Sequence, residues 1–222
     1  LEFRRVLFRS PYLHPPKMPR SLLLLLLLAA CSEPQPQQIH LSNSSFEGTP
    51  AAGSTPDGWT NCGDRGESPT DIQPGFFGVS LPAAEGRTYL SMVVRETGKL
   101  EGLSQALPTP MKPGVEHSLW LSLAQSDSFS SPALNLEGKL KTADFSHSVV
   151  LRLYGGMNPC ERRELLAQTP VIGHREWKPY LLKWQPSAAH THLMLETFYD
   201  TTRVQSYNGH ILVDHLSEIS IK

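Results

Sequence analysis

The chain has 222 residues and a formal net charge of −1. Setting aside Glu2, Arg4, Arg5, Arg9, Lys17 and Arg20, all upstream of Cys31, leaves 15 basic and 20 acidic residues, a net charge of −5 from Cys31 onward. That balance argues against nucleic acid or an anionic membrane surface as the main partner, because both need a basic footprint. The length suits one sheet-rich domain.

The first organised feature is the run Leu22–Ala30, nine apolar residues behind Lys17, Met18 and Arg20. It is about half of the roughly 20 residues a spanning helix needs, and charge, apolar run and small residues follow the secretory signal layout. The segment Leu28-Ala29-Ala30-Cys31 resembles the lipobox of bacterial lipoproteins. The resemblance implies cleavage before Cys31, acylation of its thiol and attachment through lipid rather than a span. Ser32 carries no aspartate retention mark, which implies the outer membrane, with the protein periplasmic or surface-exposed. Residues 18–30 are therefore expected to be the signal, and residues 31–38, rich in Pro and Gln, a lipidated tether. Residues 1–17 precede the natural start and are expected to be a non-native extension without function.

Beyond the tether, residues 39–222 read as strands and turns. Arg87–Arg95, His117–Gln125, Ser148–Gly156, Lys178–Pro186, Thr191–Tyr199 and Ile211–Ile221 are short and partly alternate with period two. Val149, Leu151 and Leu153 share one face, opposite Val150, Arg152 and Tyr154. Pro-Asp-Gly at 56–58, Lys-Pro-Gly at 112–114, Gly-Gly at 155–156 and Asn-Gly at 208–209 punctuate them. No segment keeps a helical apolar pattern for ten residues; Cys160–Gln168 reads as one helical turn or a strand, the strand favoured because Pro170 closes it quickly. The pattern predicts an all-β antiparallel sandwich, a jelly roll. Residues 126–146 form the longest irregular stretch, a candidate lid, partner-contacting excursion or tolerated insertion. With Cys31 acylated, Cys62 and Cys160 remain, and an even pair in an oxidising envelope favours a disulfide over two free thiols.

The edges "LSNSSFEGTP…PDGWTNC" and "YNGHILVDHLSEISI" resemble the first and last strands of the galactose-binding-like jelly rolls found in carbohydrate-binding modules. Phe46 and Trp59 would then pin the first strand into the core. The resemblance also implies that Glu47 and Asp214 share a structural Ca²⁺, an ion that prefers carboxylate and backbone oxygens.

Sugar binding needs an exposed aromatic face and polar groups that bracket hydroxyls. Tyr154, Trp177, Trp184, Tyr199 and Tyr207 are candidate platforms. Trp177 and Tyr207 lie beside turns and are the expected exposed pair, with Arg175, Asp200, Arg203 and Asn208 supplying hydrogen bonds. For catalysis, His190 and His192 would share a strand face and could hold a metal, but a third ligand is not evident. Glu161, Glu164 and Glu196 are candidate carboxylates for glycoside hydrolysis. The sequence has no Gly-x-Ser-x-Gly elbow, phosphate loop or HExxH motif. The expectation is a non-catalytic, glycan-binding envelope lipoprotein. The alternative is a structural or adhesion subunit that docks another envelope protein.

Overall fold

The computed structural model describes residues 37–66, 69–203 and 205–222. The expected extension, the signal peptide, Cys31 and most of the tether lie outside the described residues. Among the described residues there is no helix. The chain forms β1 (Gln37–Ile39), β2 (Thr60–Asn61), β3 (Asp71–Gln73), β4 (Tyr89–Val94), β5 (Gly102–Met111), β6 (His117–Ala124) and β7 (Ser130–Leu134). It continues with β8 (Leu140–Asp144), β9 (Val149–Gly156), β10 (Glu164–Gln168), β11 (Lys178–Trp184), β12 (His190–Tyr199), β13 (Gly209–Asp214) and β14 (Ile219–Ile221).

Every ladder between these strands is antiparallel. One sheet runs β1-β14-β6-β13-β4-β3, with β11 also paired to β6. The second runs β10-β9-β12-β5-β2, and β7 and β8 pair only with each other. The protein is an all-β antiparallel sandwich, as the alternation predicted. β1 begins at Gln37, so the last two residues of the expected tether already belong to a strand.

Period-two alternation builds two apolar layers. Between the sheets, Leu90, Met92 and Val94 of β4 and Leu119, Leu121 and Leu123 of β6 meet Val149, Leu151 and Leu153 of β9. Each such side chain contributes about 1.5–3 kcal/mol when fully buried. Phe46 and Trp59 join this layer with ring centroids 5.3 Å apart, and the Trp59 indole N–H donates to the Asn43 carbonyl at 3.2 Å. The residues in between point outward, and here the first sheet carries a second layer. Tyr89 and Val93 of β4, Leu212 of β13 and Ala124 of β6 lie under Val79, Phe129, Ala133, Ala143 and Phe145.

Residues 126–146 are therefore a hairpin rather than an irregular excursion. Phe129 and Phe145 anchor its base, their rings 5.5 Å apart and the Phe145 N–H donating to the Phe129 carbonyl at 2.9 Å. Two other elements escaped the sequence pattern. β5 contains Pro108 and Pro110, which cannot donate to a ladder. Both fall between Ala106 and Met111, where the pairing with β12 shifts register. The segment 211–221 is two strands, because His215 takes a φ of +51° directly after Asp214.

Cys62 and Cys160 are disulfide-bonded, with the sulfurs 2.02 Å apart. The bond packs with Tyr154 and Met194 on the outer side of the second sheet. It closes a loop with a sequence separation of 98, for which chain entropy supplies roughly 4–5 kcal/mol. Replacing both cysteines with alanine is expected to lower unfolding free energy by about 2–5 kcal/mol. Urea titration of the double variant checks this, and an unchanged midpoint and slope would contradict it.

Candidate functional site

A polar cleft opens where three segments meet: residues 78–82, the link 125–128 after β6, and Arg175 ahead of β11. It holds about 220 Å³, and Ser80, Leu81, Pro82, Ser126, Asp127 and Arg175 stand in its wall. Local chemistry fixes each side. Buried Gln125 donates from Nε2 to the carbonyls of His147 (2.8 Å) and His210 (2.9 Å), while its Oε1 accepts from Arg175 Nη1 at 3.3 Å. Arg175 Nη1 also donates to the Ser126 carbonyl. The Ser126 N–H donates to His210 Nε2 at 2.8 Å, and His210 Nδ1 faces the Phe145 carbonyl at 2.8 Å. Those two contacts require the neutral Nδ1–H tautomer. Burial agrees with them, pulling the His210 pKa down to about 4. On the facing wall, Ser128 Oγ donates to the Gly78 carbonyl at 3.0 Å.

Arg175 Nε and Asp127 Oδ1 are 3.7 Å apart, and the two side chains are 41% and 92% exposed. At that exposure the pair adds little stability; Asp127 is free to turn to a ligand, while Arg175, held through Nη1, keeps its guanidinium at a fixed place in the wall. A cation and an anion side by side suit neighbouring hydroxyls, one accepting from each hydroxyl and the other donating to it. Leu81 and Pro82 offer an apolar wall beside them.

Of the six residues expected to bind ligand, Arg175 alone lines this cleft. Trp177 is half-buried: its indole N–H donates to the Pro82 carbonyl at 2.7 Å and its ring meets Tyr89 edge-on at 5.2 Å. It holds the cleft wall rather than presenting an open face. Tyr207 donates from its hydroxyl to the Ser148 carbonyl (2.8 Å) and accepts the Asp200 N–H (2.6 Å). Its ring is flanked by His147, Tyr199 and Arg203. Asp200 caps the turn at Thr202, and Asn208 Oδ1 accepts the Glu96 N–H at 2.9 Å. Both aromatics are half-buried, and Tyr207 lines an open space of about 420 Å³ with Arg203, Gln205 and Ser206, which brings two of the six expected residues together there. Of the other platforms, Tyr154 and Trp184 are buried, and the Tyr199 hydroxyl donates to the Arg95 carbonyl at 2.5 Å.

The aromatic that does face solvent is Trp120, 50% exposed and directly opposite Leu181 of β11, itself 38% exposed. In β6 the inward residues are His117, Leu119, Leu121 and Leu123, and Trp120 shares the other face with Ser118 and Ser122. A tryptophan flanked by serines at both i±2 positions is the signal that marks it as outward. Along β11, Pro179 and Leu181 continue this apolar stripe back toward Trp177 and the cleft.

Glu47 and Asp214 converge on one loop, but as acceptors of its N–H groups. Glu47 Oε1 accepts from Arg87 (2.9 Å) and Thr88 (3.3 Å). Asp214 Oδ2 accepts from Ala84 (2.8 Å) and Glu85 (2.9 Å), and Oδ1 from His215 (2.7 Å). Between them Gly86 adopts a φ of +66°, and a Cβ there would collide with the Glu47 carboxylate. Calcium takes six to eight oxygens; here Glu47 Oε1 and both Asp214 oxygens already accept backbone N–H groups. Among the described residues no group of three or more His, Cys, Asp or Glu side chains could hold a metal ion.

The histidine pair is also separated. A register shift falls between His190 and His192. Buried His190 faces Glu164 Oε2 at 2.7 Å, and His192 Nδ1 lies 3.0 Å from Thr191 Oγ1. Glu161 accepts the N–H groups of Met157 and Asn158, and Glu196 pairs with Arg162.

No protein-family model matches the chain, and no curated protein is significantly similar to it. Solved structures are similar at low identity. An arabinose-bound α-L-arabinofuranosidase, MgGH51, is 14% identical over 84% of this chain with a TM-score of 0.52, and the chain spans 27% of that enzyme's length. The CBM22-1 xylan-binding domain of Paenibacillus barcinonensis Xyn10C is 13% identical over 84% of this chain and 95% of that one, with a TM-score of 0.47. The K2 cleaved adhesin domain of Lys-gingipain is 10% identical over 81% of this chain and 96% of that one, with a TM-score of 0.47. What the likeness to the arabinofuranosidase shows is the sandwich fold.

His210 and Asp214 predict opposing pH dependences. His210 is depressed from 6.5 to about 4 by burial. Its contribution is fully present above about pH 6.5 and is lost as pH falls toward 4, because the unfolded chain takes the proton first. Burial pushes Asp214 up from 3.8 to about 6, with the Glu85, His215 and Ala84 N–H groups opposing it. Its contribution is present below its ordinary value and is lost as pH rises through about 6. Between pH 6.5 and 4, Asp214→Asn is therefore expected to lose stability more steeply than wild type, and His210→Gln less steeply. Urea titrations across that window decide it; a His210→Gln slope equal to wild type would remove His210 from the account.

Proposed function

We propose that this chain is a non-catalytic, lipid-anchored protein of the cell envelope that binds a glycan in the Arg175 cleft. The observation that carries the reading is the exposed Arg175–Asp127 pair, set among Ser80, Ser126 and Ser128 in an open space of about 220 Å³. Hydroxyl-rich ligands need this mixture of donors and acceptors, and the adjoining wall of Leu81 and Pro82 suits the C–H face of a sugar ring. The stripe through Pro179, Leu181 and Trp120 extends the surface along one sheet face, so a ligand longer than one sugar has a place to lie. The low-identity likeness to an arabinose-bound glycosidase is compatible with this reading and adds only the fold.

The anchor rests on Leu28-Ala29-Ala30-Cys31 and the signal-like run before it. Acyl chains on one cysteine hold a protein stably at a bilayer only when more than one is present. Ser32 after the cysteine favours the outer membrane. Metabolic labelling with a fatty acid should mark the wild-type chain, and Cys31→Ser should abolish the label.

A glycan array with the described sandwich is expected to give reproducible binding to one glycan class. Arg175→Ala and Asp127→Ala should each weaken that binding about tenfold or more, the loss of roughly 1.4 kcal/mol or more, without lowering the melting temperature by more than a few degrees. Trp120→Ala should weaken long glycans more than short ones. A blank array from folded protein, or variants that bind as wild type does, would overturn the reading and favour docking to an envelope protein.

A further inference from the structure

The β7–β8 hairpin has two faces with different fates. Ala133 and Ala143 point down and are 7% and 8% exposed, while Phe129 and Phe145 lock the base at 1% each. On the other face and over the apex stand Leu134, Leu136 and Leu140, 44%, 73% and 71% exposed. Leu134 and Leu140 are directly paired across the strands. The apex is not a loose loop. The Asn135 N–H donates to the Lys139 carbonyl (3.0 Å), Gly138 N–H to the Asn135 carbonyl (2.9 Å), and Lys139 N–H to Asn135 Oδ1 (2.8 Å). The hydrogen-bonded turn thus fixes the backbone that presents the three exposed leucines at the hairpin apex.

We propose that this apex is a bilayer-contacting element, in which Leu134, Leu136 and Leu140 enter the interfacial zone of a membrane and Lys139 and Lys141 sit at the headgroups. Clustered exposed leucines mark an interaction surface, and the shape selects the occupant. A protein partner needs a surface near 800 Å² on each side for a stable complex, and three side chains on a hairpin tip fall well short of that. A bilayer surrounds a protruding tip and buries it on every side, with binding set by apolar area and by headgroup charge. The local charge fits. Between Leu134 and Thr142 stand Lys139, Lys141 and Glu137, a net +1 within a chain whose remainder is acidic. Glu137 is turned back to accept from Asn135 Nδ2. No carboxylate among the described residues lies within ion-pairing distance of either lysine, whose long stems let the ammonium groups reach upward. The overall acidity excludes adsorption driven by charge alone, so the leucines carry the contact and the lysines orient it. The proposal stands independently of acylation at Cys31 and of the glycan cleft.

The test uses residues 37–222, which contain both apolar layers and the disulfide but not Cys31, with a thermal melt to verify folding. Vesicles of phosphatidylethanolamine and phosphatidylglycerol (3:1) serve as the membrane. Wild type is expected to co-float with the vesicles, and Leu134→Ser/Leu136→Ser/Leu140→Ser to lose at least tenfold in bound fraction at an unchanged melting temperature. Lys139→Glu/Lys141→Glu should bind at least threefold less. An environment-sensitive fluorophore on Leu136→Cys should brighten severalfold and be quenched by spin-labelled lipid, whereas one on Thr202→Cys should not. Absence of vesicle binding by folded wild type, binding undiminished in the triple variant, or an unquenched label at position 136 would each overturn the proposal. So would a stoichiometric protein that covers the leucines in crosslinking while vesicles do not.

Discussion

The Asp214 carboxylate is the constraint from which the rest of the outer face follows. It sits at the end of β13, buried, and takes three backbone N–H groups, two from the loop at 84–85 and one from His215. The three hydrogen bonds favour the carboxylate, but desolvation outweighs them, as the Asp214 pKa raised to about 6 records. The His215 contact turns the chain out of β13 and makes β14 a separate strand. The other two contacts, with Glu47 opposite, seat residues 84–88 against the sheet. Once that loop is seated, Leu81 and Pro82 are within reach of Trp177 and Tyr89, whose hydroxyl donates to the Leu81 carbonyl at 2.5 Å. One wall of the cleft is therefore built by a carboxylate that never reaches it.

The opposite wall depends on neutral polar groups. Gln125 and His210 each engage both ends of their side chains where the link 125–128 leaves β6, and Phe129 follows directly, its ring 4.9 Å from the His210 ring. Deeper under the same hairpin base, Asp71, Arg95 and Glu101 are all buried, with Arg95 Nη2 2.7 Å from Glu101 Oε1 and Ser91 Oγ donating to Asp71 at 3.1 Å. Burial pushes both carboxyls up, and Arg95 opposes it in each case. Removing one partner of such a group leaves an uncompensated charge and costs more than the assembly contributes when whole. The hairpin is thus seated by apolar contact and given a single position by polar contacts. Phenylalanine alone would tolerate sliding; hydrogen bonds at Ser126 and Phe145 do not.

What was legible in the sequence was whatever alternates. β6 read correctly because it exchanges buried and outward residues with period two from His117 to Leu123, and β9 because Val149, Leu151 and Leu153 face the central core while Arg152 interrupts the other face. The Cys62–Cys160 pair was legible by counting. The hairpin was not, because its strands carry only Ala133 and Ala143 toward the protein and leucines toward solvent, the reverse of the usual pattern. β5 was hidden by prolines that sit where its ladder is interrupted. Exposure of Trp177 and Tyr207 was inferred from nearby turns, but a turn places the backbone at the surface and leaves the ring free to fold back toward an unsatisfied carbonyl. Pro82 and Ser148 supply those carbonyls, and neither is near in sequence. Trp120 had the opposite character: its outward position beside two serines was written in β6.

The outer face of the first sheet is divided, and the division assigns work. β4, β13 and the end of β6 lie beneath residues 77–83 and the hairpin, where Tyr89, Val93 and Leu212 are covered as fully as the central core. β11 and the start of β6 remain open, with Trp120 and Leu181 paired across them. An edge strand such as β11 invites pairing with another chain, and Pro179, Lys178 and Lys183 along it discourage that outcome. Its face can therefore stay apolar without its edge becoming a template. The cleft lies on the boundary between the covered and open halves, where a rigid wall meets an accessible stripe. A binding surface needs both properties at once: groups held in place by a core of their own, and a face that the core has left uncovered.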